Sequence, residues 1–186
     1  ITESGKLILD EGDIVKWSNP NDRISDIKLV NSKNKEVVPE LTDEVIATLL
    51  DSDVIIFSSG TQWSSLIPTY IHKDFRETIE MSKAKKYLVM NNVPDEDMIG
   101  LDSNDVLAIL SSYLPLDQIS VVFNNNADES MRNLGFMKGG VGNYIDGEFS
   151  KPDSKVHDHR VVAAIMKDAL NGKVESSTYM FDFDDT

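Results

Sequence analysis

Val54-Ile55-Ile56-Phe57-Ser58-Ser59-Gly60-Thr61-Gln62-Trp63-Ser64-Ser65 is the stretch from which the fold can be inferred. Its four leading residues are all apolar, a pattern typical of a strand that is buried on both faces of a parallel sheet. A connection rich in hydroxyl groups follows, and beyond it apolar residues recur at steps of three and four. A strand, a short connection and a helix make one βα unit, so we expect an α/β protein.

The same alternation of strand and helix recurs further along the chain. Apolar runs at residues 87–90 and 119–123 each follow a segment with helical periodicity. Strands that alternate with helices usually pair in parallel, because each crossover returns the chain to the same end of the sheet. We therefore predict a three-layer α/β domain, with a mainly parallel sheet and helices on both faces.

Patterns elsewhere predict further elements. Residues 12–38 contain short apolar clusters between turn-forming residues and are predicted to form short strands. Helices are predicted at residues 42–51, with Thr42 as N-cap, and at residues 158–171. One long helix is predicted from an apolar stripe that comprises Leu66, Ile67, Tyr70, Ile71, Phe75 and Ile79. Residues 135–147 hold half of the ten glycines, which predicts a loop or a hairpin insertion.

Composition excludes several classes of protein. The 186 residues carry 18 Lys+Arg and 32 Asp+Glu, a net charge of −14, so we expect no nucleic-acid partner. The absence of cysteine excludes thiol catalysis and zinc–thiolate sites and is compatible with a cytoplasmic protein. The apolar runs are too short to cross a bilayer, so no membrane contact is expected. The chain begins with Ile1, and we expect its natural start to lie upstream.

The hydroxyl-rich connection after Phe57 is the first candidate site. Ligands of open α/β sheets bind beyond the carboxyl ends of the strands, and a helix start offers free amides to an anion. We expect bare amides near Gly60 to bind a phosphate or diphosphate, assisted by hydroxyl groups. The residues concerned are Ser58, Ser59, Gly60, Thr61, Ser64 and Ser65. The alternative is that they are turn and N-cap residues of an ordinary strand-to-helix connection.

Three segments of this chain resemble one known family. Residues 53–68 resemble the family's A-D-L-I-V-I-G-P-G-S-L-Y-T-S-I-L-P, and residues 82–91 are similar to its S-K-A-K-K-V-Y-V-C-N. Asn124-Asn125 follow an apolar run as the family's V-I-V-N-N does. On these motifs the chain resembles the 2-phospho-L-lactate transferase (CofD-like) family, which includes YvcK-type gluconeogenesis factors. The resemblance extends over about residues 2 to 170.

The resemblance implies a Rossmann-like domain that binds a GDP- or UDP-type nucleotide or a nucleotide sugar. Such a protein would be a transferase that moves a phospholactyl-type group, or a regulatory relative without turnover. Asn91 and Asn124 would lie at neighbouring strand ends of the nucleotide site.

The chain also departs from the family pattern. Ser58-Ser59 replaces the family's G-P, and only Asn91 remains of its N-V-M-T-Q-x-G-E-T. The family's opening G-G-G-T-G turn would lie before Ile1. We therefore expect residues 1–175 to be the second half of the family domain.

The C-terminal residues 176–186 suggest a second hypothesis. Asp182-Phe183-Asp184-Asp185-Thr186 after an apolar segment resembles motif one of the haloacid dehalogenase-like (HAD) phosphatase superfamily. Asp182 would be the nucleophile and Asp184 the general acid and base, and both would bind Mg²⁺. On this view residues 176–186 are a linker and the first strand of a following HAD-like domain. The alternative is a solvated acidic tail.

The other candidate groups are less specific. His72, His157 and His159 lack the spacing of a metal site. The acidic residues 95–97 are predicted to form a solvated surface loop rather than a cation site. Trp63 either stacks on a base or sugar or packs inside the protein. The long apolar helix face is compatible with core packing or with a homodimer contact.

Overall fold

The structure is a computed structural model that describes residues 1–91, 95–124, 143–147, 157–171 and 178–179. The chain divides into two compact units, each built from separated segments. The first unit comprises Ile1–Asp53, Gly60–Ala84 and Pro94–Pro115. The second unit comprises Val54–Ser59, Lys85–Val93 and Leu116–Thr186.

The described residues of the second unit form a parallel sheet of five strands. They are β3 Val54–Phe57, β4 Lys85–Val89, β5 Ser120–Asn124, β6 Asn143–Gly147 and β7 Thr178–Tyr179. Their order in the sheet follows their order in the chain, and each neighbouring pair is parallel. This confirms the mixed α/β class and the parallel pairing that the three apolar runs predict.

Burial differs between the first two strands of this sheet. Lys86 to Val89 of β4 are buried, which fits a strand covered on both faces. In β3, by contrast, Ile55 and Phe57 are buried, whereas Ile56 is 53% exposed. The expectation that β3 is buried on both faces is therefore wrong, because the face that carries Ile56 is exposed. The three-layer arrangement with helices on both faces stays a prediction.

Two other predictions for the second unit have different outcomes. The helix α6 His159–Leu170 confirms the helix predicted at 158–171. Asn143–Gly147, however, pairs in parallel with β5, so these residues form neither a loop nor one arm of a hairpin. A parallel neighbour needs a crossover connection, which a hairpin does not supply. The rest of the glycine-rich segment lies outside the described residues.

The start of the first unit contains a helix that its apolar clusters do not predict. Glu11–Val15 forms the helix α1, whose first turn is capped by the Asp10 side chain. The two strands in this region, β1 Leu29–Val30 and β2 Glu36–Val37, form an antiparallel pair. The prediction of short strands holds for this pair and is wrong for residues 12–15. There the capping of the Gly12 amide by Asp10 stabilises a helical turn.

Two helices of the first unit follow from their caps. The helix α2 Asp43–Asp51 begins after Thr42, whose side chain accepts a hydrogen bond from the Val45 amide, as predicted. The helix α5 Ser103–Leu110 begins after Asp102, which forms a reciprocal capping box with Asp105.

The predicted long helix is interrupted. A π-helical turn Gln62–Leu66 leads into α3 Ile67–Tyr70, and a separate helix, α4 Phe75–Met81, follows after a break. At the break, Lys73 bonds through its amide to the Pro39 carbonyl, and Asp74 adopts a φ of 65°. The π-helical turn, α3 and α4 each bury their own apolar residues, which accounts for the apolar stripe in the sequence. The prediction of one continuous helix is wrong.

Each unit has its own buried residues. In the first unit the fully buried large side chains are Trp63, Ile67, Ile79, Leu107, Leu110 and Leu114. In the described part of the second unit they are Leu88 and Ile119. Over the described ranges, no helix has the length and apolar character needed to cross a membrane.

The C-terminal hypothesis remains a prediction. Thr178–Tyr179 forms the last strand of the sheet by pairing with β6. Asp182 and Asp184 lie outside the described residues, so their proposed roles and their Mg²⁺ site stay predictions, as does the HAD-like domain.

Candidate functional site

The carboxyl ends of three parallel strands bring several predicted site residues to one edge of the second unit. Val89 pairs with Val122, and Asn91 and Asn124 each follow one of these paired residues by two positions. Asn91 and Asn124 therefore lie at the same level on neighbouring strands. Ser58 and Ser59 directly follow the last residue of β3 at the same edge. We call Ser58, Ser59, Asn91 and Asn124 the strand-end group.

His157 lies against this edge, although its sequence pattern did not predict it. Its Nε2 is 3.0 Å from the carbonyl oxygen of Met90, the residue between β4 and Asn91. Its other ring nitrogen, Nδ1, is buried and has no hydrogen-bond partner. Burial lowers the pKa of His157 below its ordinary value, and the bond to the Met90 carbonyl opposes this shift in part. One signal could have found it: His157-Asp158 stands directly before the helix α6, where the family that this sequence resembles often has R-H-D.

The remaining predicted phosphate contacts lie in the first unit, in the π-helical turn and the residues before it. There the expectation of bare amides is wrong for two positions. The Gln62 amide donates to Oδ2 of Asp95 over 2.8 Å, and the Ser64 amide donates to Oδ2 of Asp97 over 2.7 Å. Because two carboxylates already accept these bonds, both amides are occupied by the protein itself.

The hydroxyl groups of this turn bond to one another. Ser64 Oγ donates to Thr61 Oγ1 over 2.7 Å, and Thr61 Oγ1 lies 2.9 Å from Ser65 Oγ. A Cβ on Gly60 would come within 3.3 Å of the Leu66 side chain, so the glycine permits a close approach here. Phosphate binding by Gly60, Thr61, Ser64 and Ser65 stays a prediction, and it would have to use groups other than the Gln62 and Ser64 amides.

The acidic segment is part of the structure of this turn rather than a solvated surface. Asp97 is only 3% exposed, which overturns the surface prediction for that residue. Both Asp95 and Asp97 use Oδ2 to cap an amide, and Oδ1 of each is buried without a partner. Burial, and then the neighbouring charge of Asp97, raise the pKa of Asp95 to about 7. Glu96 between them is exposed.

The raised pKa of Asp95 predicts a pH-dependent stability. An unfolded aspartate has a pKa of about 3.9, so the folded state binds this proton more tightly. The resulting stabilisation is complete below about pH 4 and is lost as the pH rises through about 7. After allowance for solvent screening of a half-buried carboxyl, we expect a loss of about 1–2 kcal/mol. Urea unfolding from pH 4 to 8 should show this loss in the wild type relative to Asp95→Asn, and a pH-independent difference would contradict it.

The structure also bears on the predictions for Trp63 and for metal binding. Trp63 is 1% exposed, so of the two alternatives for this residue the structure supports internal packing. Within the described residues, no group of three or more histidine, aspartate, glutamate or cysteine side chains could hold a metal ion. His72 bonds through Nδ1 to the Thr69 carbonyl oxygen.

Comparison with known proteins identifies a family that matches most of this chain. Residues 1–166 match the family described as 2-phospho-L-lactate transferase CofD. A protein of Aquifex aeolicus named "Putative gluconeogenesis factor" is 28% identical over 89 residues, which cover 48% of this chain and 26% of that protein. A protein of the same name from Streptococcus pyogenes is 23% identical over 128 residues, covering 68% of this chain and 38% of that protein.

A solved structure is similar to this chain in its fold. It is a member of the UPF0052 family from Bacillus halodurans, with a TM-score of 0.62 and 17% identity. The match covers 89% of this chain and 56% of the solved chain. The chain thus spans about a quarter to two fifths of the length of the two relatives above and about half of the solved protein.

Proposed function

The chain belongs to the 2-phospho-L-lactate transferase CofD family, and we propose that it binds a nucleoside diphosphate or a nucleotide sugar. The observation that carries this proposal is the strand-end group at the carboxyl edge of the sheet. Ligands of open α/β sheets bind outside the carboxyl ends of the strands, where polar residues can reach them without disturbing the core. Asn91 and Asn124 lie level with each other at that edge.

The chemistry of the strand-end group suits a polar ligand that is held largely without basic residues. Asparagine amides both donate and accept hydrogen bonds, as the edge of a base or the hydroxyls of a sugar require. The Ser58 and Ser59 hydroxyls can donate to phosphate oxygens. In a chain with a net charge of −14, neutral donors hold an anion without adding charge of either sign.

We propose transferase-like chemistry, with a phospholactyl-type group as the moiety transferred, as the activity of the whole protein. The support is family membership, because this chain spans only part of its relatives. A regulatory protein that binds the same ligand without converting it is the second candidate, and it is favoured by the "gluconeogenesis factor" relatives. Product analysis after incubation separates them: a new phosphoester supports the transferase, and unchanged bound nucleotide supports the regulator.

Thermal unfolding in the presence of nucleotides tests the proposal. We expect GDP, UDP or a nucleotide sugar, with and without Mg²⁺, to raise the melting temperature in a concentration-dependent way. A ligand at a hundred times its Kd adds about 2.7 kcal/mol of stability. If none of these nucleotides moves the transition at millimolar concentration, the proposal is wrong.

The variant Asn91→Ala should weaken binding about tenfold, since one hydrogen bond to a charged or polar ligand contributes about 1.5 kcal/mol. The matched control is Asn21→Ala, an exposed asparagine of the first unit. Equal affinities of the two variants would show that Asn91 is not a ligand contact.

A further inference from the structure

The ring nitrogen Nδ1 of His157 is a potential hydrogen-bond acceptor, and no residue of the described chain donates to it. Nε2 of the same ring lies 3.0 Å from the Met90 carbonyl oxygen, and Nδ1 is buried without a partner. A carbonyl oxygen can only accept, so Nε2 must carry the proton in this bond. In the neutral ring, Nδ1 then bears a lone pair. The tautomer of the ring is thus set by the hydrogen bond to the Met90 carbonyl.

The ring is neutral under ordinary conditions. Burial disfavours the charged form of His157 and lowers its pKa from the ordinary value of 6.5. The contact from the residue after β4 is the uncharged Met90 carbonyl, and the charged neighbours on the described part of its own segment are Asp158 and Arg160. The Asp158 side chain accepts a hydrogen bond from the Arg160 amide and so helps to start α6. In the neutral ring, Nδ1 is therefore an acceptor and not a donor.

The position of His157 determines what could meet this lone pair. Met90 directly precedes Asn91 and lies one residue beyond Val89, the last paired residue of β4. The ring therefore lies beside the strand-end group within the second unit. A lone pair repels the electron-rich oxygens of a phosphate, whereas a hydroxyl can donate a hydrogen bond to it.

We propose that Nδ1 of His157 accepts a hydrogen bond from a ribose or sugar hydroxyl of the bound nucleotide or nucleotide sugar. This inference rests on the proposed function and adds the orientation of the ligand. The hydroxyl-bearing sugar lies at the Nδ1 side of the ring, away from the Met90 carbonyl that Nε2 contacts, and the phosphates lie away from His157. His157 is on this account a specificity-determining residue for the sugar.

Calorimetric titration of the whole chain with the nucleotide sugar that gives the largest thermal shift tests this role. His157→Phe removes the acceptor and should weaken binding about tenfold, whereas His157→Gln offers an amide oxygen and should recover part of the loss. His159→Gln, at an exposed position two residues away, is the matched control and should bind as the wild type does. The melting temperature of each variant without ligand verifies that it is folded.

The pH dependence distinguishes a sugar hydroxyl from a phosphate at this nitrogen. If a hydroxyl faces Nδ1, affinity falls as the pH drops through the lowered pKa of His157, because the protonated ring loses its acceptor. If a phosphate faces it, affinity rises over the same range, and the inference is overturned. His157→Phe should abolish the pH effect in either case.

Two results separate failure of this inference from failure of the proposed function. If the wild type binds no nucleotide, the proposed function is wrong and this role of His157 falls with it. If the wild type binds and His157→Phe binds equally well, only the role of His157 is wrong. Nitrogen NMR of the histidine rings gives an independent check, since a protonated Nδ1 in the neutral ring would refute the tautomer.

Discussion

Trp63→Ala is expected to lower the free energy of unfolding by about 3–5 kcal/mol, the largest effect of any substitution considered. The Trp63 side chain is 1% exposed and lies in the π-helical turn Gln62–Leu66. Its removal exposes apolar surface and leaves a cavity that neighbouring residues of the first unit fill only in part. Urea unfolding with linear extrapolation measures the loss.

The second tryptophan provides the matched control. Trp17 is partly exposed, donates through Nε1 to the Asp22 carbonyl over 2.7 Å, and contacts the Lys6 ammonium 4.1 Å from its ring centre. Trp17→Ala should therefore cost less than Trp63→Ala, about 1–2 kcal/mol. If the two variants lose equal stability, the account of Trp63 as a core residue is wrong.

Asp97→Ala is expected to cost about 2–3 kcal/mol, although it removes only a polar side chain from an acidic protein. The Asp97 carboxylate is buried and accepts the Ser64 amide over 2.7 Å. Hydrogen bonds to a charged group contribute about 1.5–3 kcal/mol, and the alanine variant would leave the Ser64 amide without its acceptor. The measurement is urea unfolding at pH 5, where the protonated form of Asp95 predominates.

Two variants test this explanation of Asp97. Asp97→Asn keeps an oxygen that can accept the Ser64 amide and removes a negative charge beside Asp95, so its cost should be about 1 kcal/mol or less. Glu96→Ala removes the exposed carboxylate between the two aspartates and should change stability by no more than about 0.5 kcal/mol. A loss for Glu96→Ala as large as that for Asp97→Ala would mean that net charge, and not the amide bond, governs the effect.

Three strands of the sheet could be predicted from local sequence because each is signalled by consecutive apolar residues, whereas the sequence of β6 carries no such run. The runs at residues 54–57, 87–90 and 119–123 correspond to β3, β4 and β5 within one to two residues. The helices α2 and α6 could also be predicted, since N-cap residues and a 3.6-residue periodicity act over a few neighbouring positions. Family membership likewise followed from motifs in sequence, and residues 1–166 match that family.

Features that depend on distant partners could not be predicted in this way. Nothing in residues 95–97 indicates that Asp95 and Asp97 bond to amides 33 positions earlier. The break after Tyr70 depends on Lys73, whose amide bonds to Pro39, again a residue far away in the chain. In both cases a long-range hydrogen bond overrides a local preference that periodicity measures correctly.

Local sequence by itself determined three of the parallel strands, the helices α2 and α6 and the family, because apolar runs and capping residues are read from adjacent positions. Only the tertiary structure decided which groups are available to a ligand. In the folded protein the Asp95 and Asp97 carboxylates accept hydrogen bonds from the Gln62 and Ser64 amides. The buried Nδ1 of His157, by contrast, has no hydrogen-bond partner. The reason is physical: whether a polar group is free depends on which distant atoms come within about 3 Å of it, and only folding brings those atoms together.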